Sequence, residues 1–144
     1  MDMTKQDIPT SELLKELQDS GAYEEYREAH QDCFIETPLH ILLNKLVTEK
    51  RLKKIRLFHE AGISEVYGYQ IFSGNKRPER NKLLSITIPM KLTLDETQNL
   101  LKAAGYPLLY PKHEADGIVM YGILHEMMLS EINELLYRER IPSL

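Results

Sequence analysis

The chain has 144 residues, of which 42% are hydrophobic and 28% charged, with a formal net charge of −4. That length suits one domain with a proper core, or one domain plus an appendage, and the apolar share argues against disorder. No apolar run approaches the roughly 20 residues of a membrane span, the start MDMTKQDIPT lacks a basic-then-apolar leader pattern, and a lone cysteine, Cys33, excludes an internal disulfide or multi-thiolate metal site.

The expectation is therefore a cytoplasmic protein without a metal or other cofactor. Taken in chain order, almost every segment has helical periodicity. Residues 11–19 place Leu13, Leu14 and Leu17 on one face, with Gly21 as the stop. A short helix over 22–31 carries Tyr23 and Tyr26. In ETPLHILLNKLVTEK, Thr37 reads as an N-cap and Pro38 as the first helical residue, ahead of an apolar stripe of Leu39, Leu42, Leu43 and Leu46.

Residues 52–61 form the next predicted helix, with Leu52, Ile55 and Phe58 on a face and Gly62 as its cap. Ser64 caps a helix running to Ser73, before Gly74. Pro78 precedes a helix over 79–87, which Pro89 ends; SITI at 85–88 is β-prone but too short between helical patterns to make a sheet. TLDE at 93–96 is a capping box that opens a helix through Leu100, Leu101 and Ala104 to Gly105. After YPLLYPK, helices are expected over 114–126 and 131–139, with Tyr106 and Tyr110 packed beneath them. The fold class is all-α.

Charge is unevenly spread. Residues 1–36 hold three Lys or Arg against ten Asp or Glu, a net of −7. Residues 50–82 hold nine basic residues against three acidic, a net of +6. Such a block fits a polyanion partner, and equally a solvated face on a helical protein.

Helix 52–61, the turn Gly62-Ile63-Ser64 and helix 65–73 have the spacing of a helix-turn-helix. Gly62 supplies the positive φ of the turn, Ile63 the apolar plug, and Leu57, Ala61 and Ile71 the inward positions. LKKIRLFHEAGISEVYGYQIFSGNKRPERNKLLSI resembles the core of the lambda-repressor/Cro-like (XRE-type) family. Leu52, Leu57, Gly62, Ile63, Ser64, Ile71, Phe72, Gly74, Pro78 and Leu83 keep its pattern. The resemblance covers about 37–105, and 36–140 is also similar to bacterial XRE-type proteins of poorly defined role.

The resemblance implies a five-helix domain at 36–110, preceded by an acidic helical arm at 1–35 and followed by a helical pair at 111–144 that packs on it or mediates a homodimer. It implies sequence-specific binding of double-stranded DNA and transcriptional control, with the second helix of the motif in the major groove. The base-reading positions fall on Glu65, Val66 and Tyr69. Phosphate contacts fall on Lys54, Ser64, Asn75, Lys76, Arg77 and Arg80.

Three departures stand out. Glu65 occupies a place where the family often has a polar or basic residue. The family usually has Ala at the position of Phe58 and Val or Ile at that of Gly68. A volume swap, with Phe58 packed over Gly68, is one explanation; a motif loosened after loss of DNA binding is the other. The alternative function is a protein-interaction module on the same fold, engaging a partner through the acidic arm or the Met-bearing C-terminus. Met120, Met127 and Met128 suit either core or interface. The five histidines lack metal-ligand spacing, HEAD and HEMM lack a second zincin histidine, SGNK lacks a phosphate-loop frame, and Cys33 has no evident base. No enzyme is expected.

Overall fold

The computed structural model describes residues 8–29 and 37–144, and the chain divides into two compact units, 1–36 and 37–144. Among the described residues every regular element is a helix, and no helix is long and apolar enough to cross a membrane. His30 and Cys33 lie outside the described residues.

In the first unit α1 (Thr10–Asp19) packs on α2 (Tyr23–Ala29). Tyr26 is buried, with Tyr23 tilted beside it at 6.3 Å between ring centroids, while Leu14 and Leu17 stay exposed.

The second unit runs α3 (Leu39–Glu49), α4 (Lys54–Ala61), α5 (Glu65–Ser73), α6 (Arg80–Thr87), α7 (Leu94–Ala104), α8 (Glu114–Leu124) and α9 (Leu129–Arg138). One core threads it, from Leu43 and Val47 on α3 through Leu57, Phe58, Ile71, Leu83 and Leu101 to Val119, Ile132 and Leu136. The C-terminal helical pair thus packs on the same core as α3–α7. Met120 and Met127 join that core while Met128 is exposed.

Local chemistry accounts for the helix ends. Pro38, and not Thr37, is the cap residue of α3: its ψ of 151° is extended, and helical dihedrals begin one residue later than the sequence pattern indicated. Leu52 likewise precedes α4. Arg51 turns into the left-handed region at φ 54° and the Leu52 N–H donates back to the Val47 carbonyl at 2.9 Å, so Leu52 closes α3. SITI lies largely in α6, where Ser85, Ile86 and Thr87 are buried. The Thr93–Glu96 capping box forms in both directions, at 3.1 and 2.9 Å.

Gly62 takes φ 71° at the α4–α5 turn, a conformation that a Cβ would disfavour. Ser64 Oγ accepts from the Tyr67 N–H at 3.1 Å to start α5. The expected packing of Phe58 over Gly68 is present. A Cβ on Gly68 would stand 2.5–2.6 Å from Cγ, Cδ1 and Cε1 of Phe58, whose side chain is fully buried. Phe58 also meets Tyr69 and Phe72 edge-to-face, at 5.1 and 5.6 Å between centroids.

Gly68→Ala is expected to destabilise by about 1–3 kcal/mol through overpacking, although it lifts a helix-propensity cost of about 1 kcal/mol. Phe58→Ala should cost about 3–5 kcal/mol, and Phe58→Ala with Gly68→Val together much less than the sum of Phe58→Ala and Gly68→Val made singly. Urea melts measure all four variants; strictly additive losses would show that the two sites are not coupled. A second expectation concerns acid. The Glu96 carboxyl is held below its ordinary range, first by the Thr93 backbone N–H and then, against the opposing effect of burial, by Lys50. Its contribution is complete above the unfolded carboxylate value and is lost as pH falls through the lower folded value. Urea midpoints measured down through that acidic range should therefore fall less steeply for Glu96→Gln than for the parent.

Candidate nucleic-acid interface

The outward face of α5 is set by its inward one. Gly68, Ile71 and Phe72 are buried, so helical spacing turns Glu65, Val66 and Tyr69 outward together. Val66 is 69% exposed and Tyr69 45% exposed, large values for apolar groups on a packed helix. Glu65 is exposed, and its carboxylate makes no hydrogen bond or ion pair among the described residues. In the first turn of α5 its carboxylate complements the helix dipole, which gives it a structural reason to be there.

The α5 helix is fixed at both ends. At its start stands the Ser64 cap. At its other end the Asn44 side-chain amide donates to the Phe72 carbonyl at 2.7 Å and, with its second hydrogen, to the His40 carbonyl at 2.7 Å. The His40 ring lies against Gly74. Just beyond, the backbone N–H groups of Asn75 and Lys76 both donate to the Gln70 carbonyl, leaving their side chains exposed.

Cations flank this face unevenly. Lys53 and Lys54 occupy the cap and first helical positions of α4, where the helix dipole adds positive potential to their own. Lys54 Nζ lies 5.3 Å over the Phe72 ring, which holds the ammonium toward α5. A groove of about 910 Å³ runs along the α4–α5 pair, lined among others by Ile55, Arg56, His59, Glu60, Glu65 and Tyr69. Arg56 is paired with Glu60 at 3.1 Å.

Of the six residues assigned to phosphate, Lys54, Ser64, Asn75 and Lys76 border α5. Arg77 and Arg80 point elsewhere. The Arg77 guanidinium stacks 4.6 Å from the Tyr106 ring centroid and donates to the Ala104 carbonyl. The Arg80 guanidinium grips the Asp116 carboxylate with two bonds of 3.1 Å and donates to the carbonyls of Pro107 and Leu108 at 3.0 and 3.2 Å. Asp116 also accepts from the Tyr110 N–H at 3.0 Å. Both arginines are thus engaged in holding the α7–α8 connection, because its free carbonyls need donors and a buried carboxylate needs a partner.

Further bonds fasten that connection. Gln98 exchanges two with the Leu109 backbone, at 2.9 and 2.8 Å, and the Tyr106 hydroxyl donates to the Pro78 carbonyl. Tyr106 therefore packs against the segment after α5 and not beneath α8 and α9; Tyr110 is largely exposed, its ring edge against His113. Sequence reasoning missed these roles because Arg80 and Asp116 are 36 residues apart with no local pattern joining them. Asn44 was findable, as a polar residue inside the apolar stripe of α3.

No family model, curated protein or solved structure matches the chain.

Arg80→Ala should destabilise by about 2–4 kcal/mol, because it strips a largely buried carboxylate and two carbonyls of their donor. Arg80→Lys should recover only part, lacking the planar fork. Urea melts check both, and an Arg80→Ala variant as stable as the parent would rule out this role.

Proposed function

We propose that the chain binds double-stranded DNA as an XRE-type transcription regulator, with α4 and α5 as its helix-turn-helix and α3–α7 as the five-helix domain. The reading is supported most by one observation. The outward face of a helix fixed at both ends, carrying Glu65, Val66 and Tyr69, is bordered by Lys54, Ser64, Asn75 and Lys76 and by the doubly positive start of α4. A rigid helix of nine residues is about 13 Å long and fits the major groove, where base edges are read while flanking cations and small polar groups hold phosphates.

One such domain reads a half-site, so the working form on DNA is a homodimer. The C-terminal helical pair, with Tyr121, Leu124 and Met128 exposed, is the surface we assign to dimerisation. A second reading, a protein-interaction module on the same fold, draws support from the engagement of Arg77 and Arg80 within the chain and from the exposed Ile55 and Val66. In that reading the acidic arm or the C-terminal helices meet the partner.

Fluorescence anisotropy with random-sequence duplex at about 50 and 200 mM salt separates the two. DNA binding predicts affinity that falls steeply with salt, and Lys54→Ala or Lys76→Ala should each lower the log–log slope by about 1. No binding at the lower salt would leave the interaction module as the better account.

A further inference from the structure

Three side chains define what α5 offers to a partner, and their chemistry is unusually restrictive. Glu65 is a carboxylate without a partner among the described residues, hence an acceptor only. Val66 is a branched alkyl group, 69% exposed, with no polar atom. Tyr69 is held in place by its edge-to-face contact with Phe58, which the absent Cβ of Gly68 makes possible. None of the three is basic, so none of them makes the commonest specific contact, an arginine or lysine on guanine.

We infer that Glu65 and Val66 select a cytosine and a thymine in neighbouring base pairs of the DNA half-site. The inference rests on the DNA-binding reading above and extends it to the sequence recognised. In the major groove guanine and thymine present acceptors to a carboxylate at every hydrogen-bonding position, which repel it. Adenine presents a donor at N6 beside the acceptor N7. Cytosine presents the N4 donor alone, so it is the base that an acceptor-only side chain favours. An exposed alkyl group gains from the thymine C5 methyl, the one apolar feature on a major-groove edge.

Adjacency follows from spacing. Consecutive Cα atoms are about 3.8 Å apart, close to the rise of about 3.4 Å between base pairs. The side chains of Glu65 and Val66 leave the first turn of α5 about 100° apart, so they reach different base pairs, and Cα atoms this close keep those pairs next to one another. Tyr69, one turn on, walls the apolar side of this pair.

The test uses the whole chain and a random duplex library, recovering and sequencing the bound fraction, followed by anisotropy on the recovered duplex. The expected result is an enriched site with cytosine and thymine in adjacent pairs. Replacing that cytosine pair should weaken binding about tenfold, in line with the worth of a good base contact. Replacing thymine by uracil, which removes only the methyl, should weaken it about three- to fourfold. The uracil penalty should vanish in Val66→Ala, and Glu65→Gln should shift the enriched base from cytosine to adenine, which a carboxamide reads with both its groups.

Both substitutions are at exposed positions, and unchanged urea midpoints would exclude a folding cause. Salt-sensitive binding with no enriched cytosine–thymine step, or enrichment indifferent to Glu65→Gln and to uracil, overturns this inference and leaves the DNA reading standing. Absence of duplex binding at low salt overturns both together.

Discussion

The packing of the Phe58 ring against the bare backbone of Gly68 sets the spacing of α4 and α5, and much of the second unit depends on it. The ring fills the place that a branched residue at 68 would fill, and from there it touches Tyr69 and Phe72. One aromatic side chain thereby supplies core volume to α4, a seat for α5 and an orientation for an exposed tyrosine. The helix-propensity cost of a mid-helix glycine is small beside the burial of a whole phenyl group. This contact gives the mid-helix glycine a packing reason. The phenyl group on α4 is fully buried in the space that the missing side chain on α5 leaves.

The second organising interaction is the grip of Arg80 on Asp116 and on the carbonyls of Pro107 and Leu108. With Arg77 on Tyr106 and Ala104, it fastens the α7–α8 connection to the segment that follows α5. The C-terminal helices are for this reason part of the same folded body, sharing Val119, Ile132 and Leu136 with its core. A side-chain amide does the corresponding job at the near end, where Asn44 ties α3 to the last turn of α5. Polar groups set the relative placement of helices whose apolar faces alone would tolerate several packings.

The sequence made much of this legible where the determinants are local. The Ser64 cap, the Thr93–Glu96 box, the Gly62 turn and the helical periods are patterns within a few residues, and the structure has them. Helix starts were less certain: Pro38 and Leu52 carry the right chemistry for a first turn yet belong to a cap and to the end of the preceding helix. The Phe58–Gly68 contact was legible only because two departures from a family pattern occur at facing positions. The engagements of Arg77 and Arg80 were not legible, since a basic residue in a charged block gives no sign of whether it faces solvent or a carboxylate 36 residues away. As to the candidate site, Glu65, Val66 and Tyr69 were indicated only by the family resemblance, and all three are exposed on α5.

The engagement of those two arginines changes the character of the positive field. Lys50 is paired with Glu96 and Arg56 with Glu60, so the basic side chains without an ion pair or hydrogen bond among the described residues of 50–82 are Arg51, Lys53, Lys54, Lys76 and Lys82. Four of these five are ammonium groups on flexible stems, compact charges with no directional fork. Ammonium charges of that kind hold a polyanion without fixing where along it the protein sits. Under the DNA-binding proposal, such a surface favours one-dimensional travel between sites.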